Sequence, residues 1–243
     1  ALALDGYSWW GTGASDTGGY DITYLSGIYV DENGNGRRDN SEPSLAEFDG
    51  SRGAGWMGTL NDWFVNEGFQ SFRVGGRGAY ELADGDYLNI VFTQNLGEDV
   101  GSLWGNSDTS LEDLHISGGI LAPRFDGDTL EYTLSITGNS ARVTVTPTAV
   151  NKNYMVKTFL NRYNRDSAFY KRTESITVKP GDILYIGVGD PSWPSMNNQS
   201  TEAIDYEGTK YTITVVNGNS VEAVIEMIKA LPEITYANCK TQA

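Results

Sequence analysis

The stretch ARVTVTPTAV, residues 141–150, alternates apolar and polar side chains along most of its length. A period of two is typical of a β-strand that buries one of its faces. Similar short segments, bounded by Gly, Pro, Asn and Asp, occur on both sides of it: LEDLHIS (111–117), TLEYTLSI (129–136), SITV (175–178), DILYIGV (182–188) and KYTITVV (210–216). This pattern predicts an antiparallel, all-β sandwich in the second half of the chain.

The first half of the chain alternates short β-like runs with glycine turns. The runs are YDITYLSGIYV (20–30), FQSFRV (69–74) and YLNIVFT (87–93). The 29 glycines and 14 tyrosines of the 243-residue chain also favour turn-rich β structure. The polar stretch GNSDTS (105–110) is predicted to link this first module to the sandwich.

The C-terminal residues change character. SVEAVIEMIKAL (220–231) places its apolar residues at helical spacing, and Pro232 ends the pattern. A short amphipathic helix is marginally stable without a partner element. We therefore expect residues 218–243 to be the start of a truncated helical module.

Charge is distributed unevenly. The formal net charge is −15, and residues 1–108 hold five Arg and no Lys against seventeen Asp and Glu, which gives 5 − 17 = −12. Phosphate binding needs a basic surface, so this composition argues against nucleic acid and anionic membranes as partners. No apolar run is long enough to span a membrane, and the single Cys239 excludes an intrachain disulfide.

Residues 31–42, DENGNGRRDNSE, fit two interpretations. Two successive Asn-Gly pairs are typical of a solvated turn. The oxygen-bearing side chains of Asp31, Asn33, Asn35, Asp39 and Glu42 also occupy the first, third, fifth, ninth and twelfth positions of an EF-hand calcium loop. In that loop Gly36 permits the sharp turn and Arg37 contributes its main-chain carbonyl. The spacing favours calcium as cofactor, in a loop between β elements because IYV precedes it and Pro43 follows.

Aromatic side chains are concentrated in the first module. We expect Trp56 and Trp104 to fill the core. Neighbouring residues of a strand face opposite sides, so one ring of each pair Trp9–Trp10 and Trp63–Phe64 is expected to be exposed. Trp63, Phe64 and Trp10 are therefore the candidate ligand-binding residues, suited to stacking on a sugar or a planar cofactor.

No catalytic constellation is predicted. His115 is the only histidine and lies on a predicted strand between Leu114 and Ile116, where it is expected to face solvent. Cys239 has no neighbouring histidine or basic motif that would lower its pKa. Acidic residues are abundant, but a paired-carboxylate glycosidase would also need a deep cleft. The expectation is a protein that is not an enzyme.

Residues 47–103 carry the landmarks Gly55-Trp56-Met57, Asn61, Asp84-Gly85-Asp86 and Gly97-Glu98-Asp99-Val100-Gly101. In this order they resemble a family of unknown function related to the C-terminal β domain of transcobalamin, over residues 20–104. The resemblance implies a small α+β, β-grasp-like module at residues 1–106. It also suggests the alternative function of binding a small corrinoid-like ligand.

Residues 110–216 resemble a cadherin-like β-sandwich module of bacterial surface proteins. The resemblance rests on the opening LEDLHIS, on LEYT (130–133) and VTVTP (143–147), and on the closing YTITV (211–215). It implies an immunoglobulin-like sandwich at residues 110–217 in an extracellular or wall-attached bacterial protein with further domains. The expected function is non-enzymatic binding, adhesion or spacing through an unknown surface, glycan or protein partner; glycan binding by a carbohydrate-active protein remains an alternative.

Overall fold

The computed structural model describes residues 6–12, 24–64, 86–164, 174–190, 208–218 and 225. These residues form fourteen strands arranged in four sheets and one 3-10 turn, so the fold is mainly β, as predicted. The chain divides into two compact units. The first unit contains residues 1–109, 149–156 and 188–208, and the second contains residues 110–148, 157–187 and 209–243.

Two sheets build the second unit. The strands, in chain order, are β7 (Leu111–Ser117), β8 (Ile120–Ala122), β9 (Glu131–Ile136), β10 (Ala141–Ala149), β11 (Val156–Leu160), β12 (Ser175–Val178), β13 (Ile183–Val188) and β14 (Thr209–Asn217). One sheet has the order β12-β10-β7 and the other the order β11-β13-β14-β9-β8. β8 pairs antiparallel to β9, and β10 pairs antiparallel to β12. β14 pairs parallel to β9, so the prediction of an antiparallel sandwich is wrong for this strand pair.

The core of the second unit follows the alternation of its strands. In β10 every second residue from Val143 onward is buried, and in β14 Tyr211, Ile213 and Val215 are buried while their neighbours are not. Tyr211 also joins elements through its hydroxyl, which accepts the Leu111 N–H at 2.9 Å and donates to the Gly127 carbonyl at 2.8 Å. The period-two pattern therefore predicts the buried face correctly.

Two three-stranded sheets build the described part of the first unit. Its strands are β1 (Tyr7–Thr12), β2 (Tyr24–Val30), β3 (Ser44–Ala46), β4 (Gly55–Leu60), β5 (Trp63–Phe64) and β6 (Leu88–Thr93). The sheet orders are β1-β2-β3 and β5-β4-β6, and every strand pair in them is antiparallel. A 3-10 turn, Glu98–Val100, follows β6. An α+β, β-grasp-like arrangement is not shown among these residues.

Polar side chains connect the loops of the first unit through hydrogen bonds. Asn151, which is fully buried, accepts the Leu103 N–H at 3.2 Å and donates to the carbonyls of Leu103 and Asn106 at 2.9 and 2.8 Å. The Ser102 hydroxyl donates to Asn153 Oδ1 at 2.7 Å. Hydrogen bonds of this kind satisfy main-chain groups that no sheet pairs.

The predicted C-terminal helix falls almost entirely outside the described residues. Within 218–243 the structure describes only residue 218 and Ile225, which is helical and exposed. The run FQSFRV (69–74) also falls outside the described residues.

Candidate functional site

The calcium-type loop, residues 31–42, forms the tip of the β2–β3 hairpin. Tyr29 pairs with Ser44, and the Val30 N–H donates to the Pro43 carbonyl at 2.9 Å immediately outside the loop. Strands therefore flank the loop on both sides, as the sequence predicts, and the helix pair of an EF-hand is replaced by a hairpin.

The first half of the calcium-type loop winds around the carboxylate of Asp31. Asp31 Oδ1 accepts the Asn35 N–H at 3.1 Å, and Oδ2 accepts the Gly36 N–H at 2.9 Å. Gly36 has a φ of 70°, in the left-handed region where a glycine is unstrained. The predicted role of Gly36 in the sharp turn is consistent with this geometry.

Two asparagine side chains converge on Asp39. Its Oδ2 accepts the Asn33 Nδ2–H at 2.7 Å and the Asn35 Nδ2–H at 3.0 Å. The amide oxygens of the two asparagines face the main chain instead, where Asn33 Oδ1 accepts the Asn35 N–H and Asn35 Oδ1 accepts the Arg37 N–H. The structure thus brings the third, fifth and ninth positions of the loop together.

Glu42 closes the calcium-type loop from its C-terminal end. The side chain is buried, with 7% of its surface exposed. Its Oε1 accepts the Glu32 N–H at 3.1 Å and its Oε2 accepts the Asp39 N–H at 2.9 Å. Burial of a carboxylate is costly unless its oxygens are satisfied, and here main-chain donors from both ends of the loop satisfy them.

The donor set suits a hard cation, because all five side chains carry oxygen and make their hydrogen bonds within the loop. The carboxylates themselves are not clustered. Asp31 and Glu42 direct their oxygens at main-chain N–H groups, and within the described ranges no group of three or more His, Cys, Asp or Glu side chains is placed to hold a metal ion. Calcium coordination would require Asn33 and Asn35 to present their carbonyl oxygens in place of their N–H groups.

Arg38 ties the loop to β1. Its guanidinium carbon lies 4.7 Å from the ring centroid of Trp10, a cation–π distance. Trp10 also lies against β2: a Cβ added to Gly27 would fall 2.1 Å from its ring, and its centroid is 5.9 Å from that of Tyr29. Trp10 is therefore half-buried between a strand and the loop, and Arg38 covers part of the ring that the sequence assigns to a ligand.

The exposed-ring prediction is wrong for β5. Trp63 and Phe64 are both buried, with 2% and 1% of their surfaces exposed. β5 has only two residues, and beyond its pairing with β4 the Phe64 N–H donates to the Lys152 carbonyl at 2.8 Å. The alternation rule assumes that one strand face meets solvent, and here both faces are covered.

The prediction that Trp104 fills the core is also wrong, because 44% of its surface is exposed. Trp56 is intermediate, and its indole N–H donates to the Leu45 carbonyl at 3.2 Å. His115 is exposed on β7, as predicted, and Cys239 falls outside the described residues.

Two features of the first unit were not predicted from the sequence. Arg38 carries no ligand oxygen, and its contact with Trp10 depends on pairing between β1 and β2. Asn151 lies inside the stretch predicted as sandwich, although its hydrogen-bond partners are Leu103 and Asn106. The sequence NKN (151–153) after a strand was the one available sign of a polar anchor.

Comparison with known families gives one match. Residues 111–218 match the model of a family described as a cadherin-like beta sandwich domain. The matched range lies within two residues of the resemblance stated for residues 110–216, and the family fits a non-enzymatic binding or adhesion module. The resemblance of residues 20–104 to the transcobalamin-related family is not supported. Neither the curated proteins nor the solved structures yield a match.

No helix in the described part of the chain is both long and apolar enough to cross a membrane.

Proposed function

We propose that this chain is a non-enzymatic module of a bacterial surface or secreted protein that binds, or spaces apart, other molecules outside the cell. The cadherin-like domain at residues 111–218 carries the proposal. The acidic first half, with its excess of twelve negative charges, supports a soluble surface and a partner that is neither nucleic acid nor an anionic membrane. Further domains of the same polypeptide complete the proposed protein.

Calcium at residues 31–42 is the second part of the proposal. Asp31, Asn33, Asn35, Asp39 and Glu42 would bind through side chains, and Arg37 through its carbonyl. The hydrogen bonds that hold Asn33 and Asn35 at Asp39, together with the buried Glu42, support it. The ion would neutralise three carboxylates and stiffen the hairpin tip. Three carboxylates and two amides suggest a dissociation constant of about 0.1–1 mM, the range of extracellular modules.

Titration calorimetry with calcium tests this part. Glu42→Gln keeps the size of the side chain but removes one charge and the bidentate ligand, so the affinity should fall by at least about tenfold. Glu32→Gln is the matched control: Glu32 lies in the same loop, is exposed, and is not a proposed ligand. The absence of heat at millimolar calcium, or equal losses in both variants, would identify the loop as an ordinary Asn-Gly turn.

The binding function is tested with the purified chain, with and without calcium, against glycan arrays and extracellular matrix proteins. Saturable binding to any of them without chemical change of the partner supports the proposal. Turnover of a glycan would contradict it and indicate an enzyme.

Small-ligand binding at Trp10, Trp63 and Phe64, of a corrinoid-like or glycan ligand, is disfavoured. Trp63 and Phe64 are buried, and Arg38 lies over Trp10. A corrinoid that binds tightly and is lost in Trp63→Ala would restore this alternative.

A further inference from the structure

Three exposed apolar residues of the first unit are linked by hydrogen bonds around one short stretch, residues 53–54. The Phe48 N–H donates to the Ala54 carbonyl and the Leu96 N–H to the Gly53 carbonyl, each at 2.8 Å. The indole N–H of Trp104 donates to the Leu96 carbonyl at 2.9 Å. We call Phe48, Leu96 and Trp104 the apolar ridge. These bonds hold the main chains of Phe48 and Leu96 to residues 53–54 and the indole of Trp104 to Leu96, so the ridge is a fixed feature of this unit.

The apolar ridge is unusually exposed. Phe48 has 65% of its surface accessible, Leu96 64% and Trp104 44%. Phe48 and Leu96 are the two most exposed large apolar side chains among the described residues. Single exposed apolar residues are ordinary, whereas neighbouring ones of this size mark a surface that another molecule covers.

The backbone of the ridge is strained at the same two residues. Phe48 has a φ of 67° and Leu96 a φ of 51°, in the left-handed region that bulky side chains rarely adopt. Glycine would adopt these angles without strain. Neither side chain is buried, so the fold gains little packing in return. Strain that the fold itself does not need is characteristic of binding sites.

The residues beside the ridge are mainly acidic. Glu47 and Asp49 flank Phe48, and Glu98 and Asp99 follow Leu96 within three positions; Arg52 is the one basic residue in the two loops, 47–54 and 94–104. These loops therefore carry four negative charges against one positive charge. The Thr93 hydroxyl and the Gln94 N–H donate to Asp99 and hold its pKa below the ordinary value, so it remains ionised at neutral pH.

We propose that the apolar ridge binds a cationic polypeptide segment whose apolar side chains alternate with Lys or Arg. The apolar groups would cover Phe48 and Leu96, and the cations would meet the surrounding carboxylates and the exposed indole of Trp104. A second copy of the ridge fits poorly, because two surfaces of the same negative sign repel. This inference rests on the proposed binding function and assigns it a surface and a partner chemistry.

The test uses two labelled synthetic peptides, one in which Lys alternates with Leu and Phe, and one with Glu in place of every Lys. Fluorescence anisotropy should show binding of the Lys peptide only, weakening as salt rises. The double variant Phe48→Gly/Leu96→Gly should weaken binding by about tenfold or more. Its melting temperature should be unchanged or higher, because glycine relieves both strained angles.

Two control variants sharpen the test. Leu88→Ala removes another exposed apolar side chain of the same unit, 42% accessible and on β6, and should leave the affinity unchanged. Glu98→Gln keeps an acceptor for Asn95 Nδ2 while removing one charge, and should lower both the affinity and its salt dependence.

Each of four results would overturn the ridge proposal. If the double glycine variant bound the Lys peptide as tightly as the unchanged chain, the binding site would lie elsewhere and the proposed function would stand. Equal binding of the Glu peptide would exclude charge recognition. A dimer in sedimentation equilibrium that the double variant abolishes would make a second copy the partner. A lower melting temperature of that variant would show that the ridge packs against the chain itself. The proposed non-enzymatic function would be contradicted by a different result, namely turnover of a substrate by the chain.

Discussion

The two units differ in the kind of side chain that they bury completely. In the second unit the fully buried side chains are apolar and spaced by two, as with Leu134, Ile186 and Ile213. In the first unit Ser102, Asn151 and Asn153 are equally buried, and their partners are loop main-chain groups and one another. Long strands satisfy their own main chain, so side chains can be apolar; short strands and long loops leave main-chain groups that polar side chains must satisfy.

This difference predicts which substitutions each unit tolerates. An apolar truncation in the second unit costs burial and leaves a cavity. In the first unit the loss of one polar side chain leaves several main-chain groups without a hydrogen-bond partner, and each of these groups carries its own desolvation penalty.

The largest effect is expected for Asn151→Ala. The substitution leaves four main-chain groups without this partner: the Leu103 N–H, the Leu103 and Asn106 carbonyls and the Asn153 N–H. The free energy of unfolding should therefore fall by about 3–5 kcal/mol. All six tryptophans lie in sequence ranges of the first unit, so their fluorescence during urea denaturation measures it. Asn89→Ala, at an exposed position of β6, is the control and should change stability by less than about 0.5 kcal/mol. Similar values for the two variants would show that the polar contacts are incidental.

A smaller effect is expected for Leu134→Ala in β9, which is fully buried in the second unit. The cavity and the lost transfer free energy should lower the free energy of unfolding by about 3 kcal/mol. Leu130→Ala removes the same atoms four residues earlier, where 46% of the residue surface is exposed, and should cost about 1 kcal/mol, a third of the loss at Leu134. Far-ultraviolet circular dichroism in urea gives both values. A Leu130 variant as unstable as the Leu134 variant would contradict the core assignment.

The smallest effect concerns pH. The hydrogen bond from the Tyr24 hydroxyl to Glu47 Oε2, at 2.6 Å, together with burial and the Glu47 charge, raises the pKa of Tyr24 to about 12. A raised folded-state pKa means that this bond stabilises the hairpin fully below about pH 10, and that its contribution is lost as pH rises from there to about 12. Glu47→Gln should return the titration toward the ordinary tyrosine range, measured by tyrosinate absorbance. An unchanged absorbance titration would show that the contact does not persist in solution.

The sequence predicts the second unit well because its signals are local. LEDLHIS, DILYIGV and KYTITVV correspond within one residue to β7, β13 and β14. Alternation reports which face of a strand is buried, and this holds wherever strands are longer than a few residues. The first unit was predicted less completely, because its polar anchors join residues that are distant in the chain, such as Asn151 and Leu103.

The candidate calcium site shows the same limit. Spacing alone predicts that Asn33, Asn35 and Asp39 lie together, since all three belong to one twelve-residue loop. The contact between Arg38 and Trp10 was not predictable from spacing, because it requires β1 to pair with β2. Burial of Trp63 and Phe64 likewise depends on contacts beyond their own hairpin, one of them with Lys152.

The position of β14 has a consequence for how the chain is made. β14 is the last strand of the sandwich in sequence, yet it lies between β13 and β9 in the five-stranded sheet. A ribosome-bound chain that has not yet released residues 209–217 leaves β9 and β13 each with an open edge, and open edges invite aggregation. The sheet therefore closes only after the whole domain has been synthesised, and until then β9 and β13 are edges open to pairing with other chains.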